Sequence, residues 1–319
     1  MNVRMVIGSM LALLLCPLVS GQTPLQGGGN SPKEEILHRI AISETALRQR
    51  ESAHADNAVL GKGYIQLGLW YTDAGLWNKA EADLEHAVAL FRHTSEPGDG
   101  LAEAVGRLGS LHVVMGRLGE SEKEEMEALK LRQNLGDQLR IARSQDDLGG
   151  LYLAQHKYTK AKDIMQQAVT EFLSDSRATS YDRISARYTL SLALCYLKDY
   201  SSAFPIMNAA LDEAKATMQP IDLPVGFGDF LLGYIYWKSG DSVKGGEYME
   251  HGKAIMAERL GWDHPTYLGA ARQYARFLRE TRHVEEAEAV ERQIRQAEAV
   301  VDVGALQTQK SAYGLVGLR

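Results

Sequence analysis

Two sets of side chains have the spacing that ligand chemistry needs. Phe227, Phe230, Tyr234 and Trp237 recur at intervals of 3, 4 and 3. On a helix advancing about 100° per residue they form one narrow aromatic stripe. Arg272, Arg276 and Arg279, at intervals of 4 and 3, form a basic one. Side by side, the two suit a peptide offering an apolar side chain and a carboxylate. Aromatic residues and Arg dominate binding hot spots, and a guanidinium grips a carboxylate through two parallel hydrogen bonds. The same residues have a packing use: the rings can fill a junction between elements, and the arginines can form a solvated face. Aromatic faces also stack on sugars, so a small-molecule or glycan-binding sensor is the other ligand class.

Catalytic chemistry finds less support. The nine histidines are scattered, and none stands in a ligand spacing such as H-E-x-x-H. Cys195 is a candidate lone nucleophile, yet "ALCYL" places it in an apolar run, where a thiol acts as a small hydrophobe. "GGG" at 27–29 and "GKG" at 61–63 lack the strand–loop–helix context of a phosphate loop. Carboxylate runs such as "EKEEMEALK" (122–130) fit a solvated helix face, where each i,i+4 pair is worth roughly a few tenths of a kcal/mol. The expectation is a protein that is not an enzyme and needs no cofactor or metal.

The elements that carry these residues repeat. Small residues stand at 68, 109, 149, 191, 233 and 275, and again at 80, 121, 161, 203, 245 and 287. The successive steps are the same in both series, 41, 40, 42, 42 and 42. Such a period marks a solenoid. Between the two small positions of each unit lies a polar or Gly-containing turn ("DAGLWN", "MGRLGE", "LKDY"). Two antiparallel helices therefore close into a hairpin, and small side chains let their axes approach. Ala87 and Ala168 lie seven residues further on, on the same face. Each hairpin is apolar on both sides and must stack on neighbours. Asp56, Asp99, Asp137, Asp182, Asp222 and Asp263 each precede a first helix by a short, similar distance, as N-caps would. Pro97, Pro220, Pro224 and Pro265 fall at the joints.

The pattern Leu67, Gly68, Tyr71, Ala80 and Ala87 resembles the signature of the tetratricopeptide repeat family, over roughly 56–301. The period near 42 is similar to the longer variety found in kinesin light chains and some bacterial regulators. The resemblance implies an all-α fold, a right-handed α-solenoid of about six helical hairpins. It also implies a concave groove, lined by the first helices, that takes a peptide or partner helix. Lys62, Glu103, Arg107, Arg143, Asp146 and Asp147 are further groove candidates, of mixed sign. The last unit departs from the pattern, with Ile294 at a small position, and fits a terminal cap.

The ends read differently. Residues 1–21 have the form of a secretory signal peptide: Arg4, an apolar run from Met5 to Val19, then Val19-Ser20-Gly21 before Gln22. A retained anchor is the alternative. The bulky Leu15 and Pro17 around Cys16 argue against a lipoprotein. Residues 22–30 read as a flexible leader, 31–55 as an N-terminal capping helix and 302–319 as a disordered tail. The expected site is thus exported, periplasmic or extracellular. Once Arg4 leaves with the leader, the net charge of −6 becomes about −7, which gives no attraction to nucleic acid. Only Cys195 then remains, so stability comes from packing without a disulfide. No other run is long enough to span a membrane. Composition, 45% hydrophobic and 24% charged over 319 residues, is that of an ordinary globular protein.

Overall fold

The computed structural model describes residues 32–94 and 98–314, with side chains from 34 to 299. Residues 1–31, which include the segments read above as a signal peptide and leader, and Pro97 lie outside the described residues. The described residues form thirteen α-helices and no strand. A single helix, α1 (Pro32–Ser52), precedes six hairpins. These are α2 (Asn57–Asp73) with α3 (Trp77–Arg92), α4 (Gly98–Val114) with α5 (Leu118–Leu135), and α6 (Gln138–Ala154) with α7 (Tyr158–Ser174). They continue as α8 (Ser180–Tyr196) with α9 (Tyr200–Thr217), α10 (Leu223–Ser239) with α11 (Ser242–Leu260), and α12 (Pro265–Glu280) with α13 (Val284–Gly314). The protein is an all-α repeat solenoid.

Small residues do the work their spacing implies. Ala80, Ser121, Ala161 and Ala203 are fully buried, as are Ala87, Ala128, Ala168 and Ala210. A Cβ added at Gly233 would lie 2.6 Å from the Met249 backbone nitrogen and 2.7 Å from the Gly245 carbonyl. Backbone thus meets backbone between α10 and α11. The turns are equally regular. Residues 75, 116, 156, 198, 240 and 282 all have φ between 59° and 107°, the left-handed conformation that reverses the chain after a helix.

Helix starts follow the expected Asp positions in part. Asp56 and Asp137 cap α2 and α6 by accepting from the Val59 and Leu139 amides. Asp222 holds the cap position of α10 but accepts from the Gln219 amide instead. Asp182 lies inside α8, where it completes a capping box with Thr179. Asp99 lies in the first turn of α4, and His264, not Asp263, caps α12. The backbone of α13 stays helical to Gly314, past the boundary at 301. No proline interrupts that segment, and its Ala, Leu, Gln and Lys residues favour helix.

Curvature places the site. The first helices of successive repeats touch one another from repeat one through repeat five, while second helices make no comparable contact with each other. The first helices therefore line the inner, concave side. Repeats one and two are also tied by an ion cluster around the buried His112. His112 sits between the Glu124 (2.7 Å) and Glu81 (3.1 Å) carboxylates, and Arg117 pairs with Glu81 and Glu120. Burial pulls the His112 pKa down, but the hydrogen bonds to Glu124 and Glu81 outweigh it and leave it raised.

Candidate concave binding face

The aromatic stripe lies in the core. Phe227, Phe230, Tyr234 and Trp237 are at most 8% exposed, which corrects the expectation of an open stripe. The neighbouring repeats supply the cover. Tyr196 from repeat four lies 6.0 Å from the Tyr234 ring, and Phe277 from repeat six meets the Trp237 ring edge-on at 5.5 Å. Lys238 sits 3.3 Å over the Trp237 ring, closing it further. The basic stripe is also engaged. Arg272 pairs with Glu298, Arg276 with Glu280 at 2.7 Å, and Arg279 holds Glu291 through two bonds of 2.7 and 2.8 Å. The predicted carboxylate grip exists, but acids of the protein's own last two helices fill it. Cys195 is buried, and burial pushes its thiol up to about 12, away from nucleophilic form.

The inner wall of repeats two to four is different. Arg143 on α6 grips Asp182 on α8 through two bonds of 3.1 Å. Arg132 crosses from α5 to donate to Ser144 at 2.8 Å, with Asp147 at 3.9 Å. Ser110 lies between the Glu125 (3.1 Å) and Asp147 (3.3 Å) carboxyls. One hydroxyl carries one proton and cannot satisfy two carboxylates. Burial first, and Asp147 next, push the Glu125 pKa well up. The raised pKa favours the neutral form of Glu125, which eases that conflict.

Asp146 stands apart. Among the described residues its side chain's only hydrogen bond is from Ser185, at 3.5 Å. Among the described residues no cation lies within ion-pair distance of it. Burial, then Asp147 and Asp182, push its pKa well above the usual carboxylate value. The neighbouring acids, Asp147 and Asp182, each have an arginine.

Of the groove residues read from sequence, Arg143, Asp146 and Asp147 come together here, with Glu103 and Arg107 alongside on α4. Lys62, on α2, takes no part. Sequence reasoning missed Arg132, Ser110, Ser185 and the pairing role of Asp182. The signal was available for Ser185, which stands at the same offset from its small residue as Arg143 and Glu103 do from theirs. Arg132 comes from a second helix, and no first-helix pattern points to it. Among the described residues no group of acids, histidines or cysteines is arranged to hold a metal ion.

Six helical hairpins stacked with their first helices inward define the class, a helical-hairpin solenoid. Sequence profiles of the tetratricopeptide repeat family match residues 64–99 and 100–170. Residues 64–170 therefore carry tetratricopeptide repeats. No curated protein sequence matches it. Among solved structures, it is similar to BtubC (BKLC) from P. vanneervenii, at 20% identity and TM-score 0.55, over 70% of this chain and 91% of that one. It is similar to the apo form of RapI, at 13% identity and TM-score 0.67, over 85% and 96%. It is also similar to the Rap conjugation gene regulator of the plasmid pLS20 in complex with the Phr* peptide. There the identity is 14% and the TM-score 0.69, over 85% of this chain and 71% of that one. At these identities the likeness is one of fold.

Proposed function

We propose that this protein is an exported, non-catalytic scaffold that docks a peptide or partner helix along its concave face. The observation that carries the reading is Asp146, a partly buried carboxylate on the inner wall without a cation of its own. It favours a ligand that brings a lysine or arginine side chain there. The Rap regulator of similar fold was solved with a peptide, which supports a peptide ligand. Export rests on the leader pattern of residues 1–21, and among the described residues no helix is long and apolar enough to cross a membrane. The glycan alternative is less favoured, because the rings it would use are packed away.

The test is binding of mature protein, beginning at Gln22, to an array of short peptides with and without a central Arg or Lys. Wild type should select basic peptides, and Asp146→Asn should lose that preference by about tenfold, the cost of one charge-assisted contact of about 1.5 kcal/mol. Equal selection by both proteins removes Asp146 from the site. No binding to any peptide overturns the docking reading. N-terminal sequencing of protein recovered outside the cytoplasm checks the leader.

A further inference from the structure

A solenoid held by nearest-neighbour contacts has two free ends. Here the ends meet. The Nε2–H of His264, at the start of repeat six, donates to the carbonyl of Asp73, at the first hairpin turn, across 3.0 Å. Its Nδ1 accepts from the Thr266 amide at 3.2 Å. Beside this bond, Gly75 lies against Pro265. A Cβ at Gly75 would stand 2.7 Å from Pro265 Cδ and 3.4 Å from His264 Cδ2. Helix α1, besides covering α2, reaches α11.

One feature separates this seam from the packing between successive repeats. Its buried residues are largely polar: Thr72 and Asp73 on one side, His264 and Thr266 on the other. The apolar core is divided. One cluster runs from Ile40 to Ala128 and another from Val113 to Ile294, and they part at the seam as they do around the junction of repeats two and three. The turn itself does not need glycine. The same left-handed position holds His156, Lys198 and Arg282 in repeats three, four and six. At Gly116 and Gly240 an added Cβ would meet nothing within 4 Å. Of the three glycine turns, only that of repeat one has another repeat against it.

We infer that the seam is a latch: repeats one and six part as intact hairpins, opening the ring and giving a large ligand access to the inner wall. The inference concerns the closure itself and holds whatever the ligand is. Opening breaks the Asp73–His264 bond and the Gly75–Pro265 and α1–α11 contacts, and leaves every hairpin-to-hairpin contact in place.

The experiment uses the full mature chain with spin labels on cysteines placed at exposed Asn78 and Glu285, read by pulsed dipolar distance measurement. Cys195 is buried and stays unlabelled in the folded protein. Gly75→Val puts a side chain into the seam, and His264→Ala removes the bond. Gly116→Val imposes the same turn strain away from it. Gly75→Val and His264→Ala should each add a population longer by about a helix diameter, about 10 Å, with helical circular dichroism unchanged. Gly116→Val should keep the wild-type distance. An unchanged distance in both seam variants would show static packing and overturn the latch. Loss of helical signal in Gly75→Val but not in Gly116→Val would place the seam in the cooperative core, and also overturn it.

Discussion

Gly233→Ala is the sharpest test of why small residues recur. The added methyl group meets Met249 N at 2.6 Å, Gly245 O at 2.7 Å and Met249 Cγ at 2.8 Å. The first two are backbone atoms of the facing helix and cannot rotate away. To reach ordinary contact near 3.4 Å, α10 and α11 must part by about 0.8 Å, and a gap of that size forfeits a quarter to a half of each dispersion contact across it. The fully buried Phe230 and Met249 lie at this crossing. Overpacking of this kind costs about 1–3 kcal/mol, and an unyielding backbone puts it at or beyond the upper end. Ala returns about 1 kcal/mol as the better helix former. The net expectation is a loss of about 2 kcal/mol. Gly149→Ala, at the equivalent position of repeat three, is the control. There the new methyl group meets the Met165 side chain, with Cγ at 2.6 Å, and a flexible thioether can move. Its net change should stay within about 1 kcal/mol. Urea denaturation followed by circular dichroism reads both, with the slope checked for constancy. Equal stability of the two variants would refute close backbone approach as the reason for the small residues.

Three other perturbations probe buried polar groups. Burial lowers and the two carboxylates raise the His112 pKa, and the net is upward. The stability His112 adds is therefore full below about pH 6.5 and lost as pH rises through its folded value. The gap between wild type and His112→Gln should narrow in urea melts as pH rises from about 6. Glu125 is fully buried with Oε2 unbonded, and its raised pKa means that stability falls as pH climbs above the ordinary carboxylate range. Glu125→Gln should flatten that slope and be more stable than wild type at pH 8 by about 1–3 kcal/mol. Gln273 is buried with neither amide atom bonded. Gln273→Met should gain about 1–2 kcal/mol, seen as a higher Tm.

What could be read from sequence was whatever repeats locally. Two series of small residues in one register forced hairpins of fixed length, and the six pairs of helices follow them. The caps were less legible, because Asp serves equally before a helix and in its first turn. Asp182 looked like a cap and instead works as the third residue after Thr179 and as the partner of Arg143. The aromatic stripe shows the deeper difficulty. Its 3-4-3 spacing correctly puts Phe227, Phe230, Tyr234 and Trp237 on one helix face, but a period says only which way side chains point. What stands opposite is decided by Tyr196 and Phe277, about one repeat away on either side. Asp146 carried the opposite ambiguity: a mixed-sign surface gave no sign of which acid lacked a cation, since the arginines of Asp147 and Asp182 come from other helices.

The ring closure is the extreme of the same effect. Asp73 and His264 are 191 residues apart, and neither departs from what its own repeat would accept. Gly75 reads as one more turn glycine, like Gly116. Only the superhelical path brings Pro265 against it. That path is the sum of five small repeat-to-repeat rotations, and small changes in any of them would separate the ends without disturbing a hairpin. A contact built this way is sensitive to packing everywhere along the solenoid. Gly233→Ala, which should part α10 from α11, therefore also ought to weaken the seam at Gly75, though the two sites lie in different repeats. The spin-label distance between Asn78 and Glu285 should lengthen in Gly233→Ala and not in Gly149→Ala. The reverse order would mean that the ends are held together independently of the curvature between them.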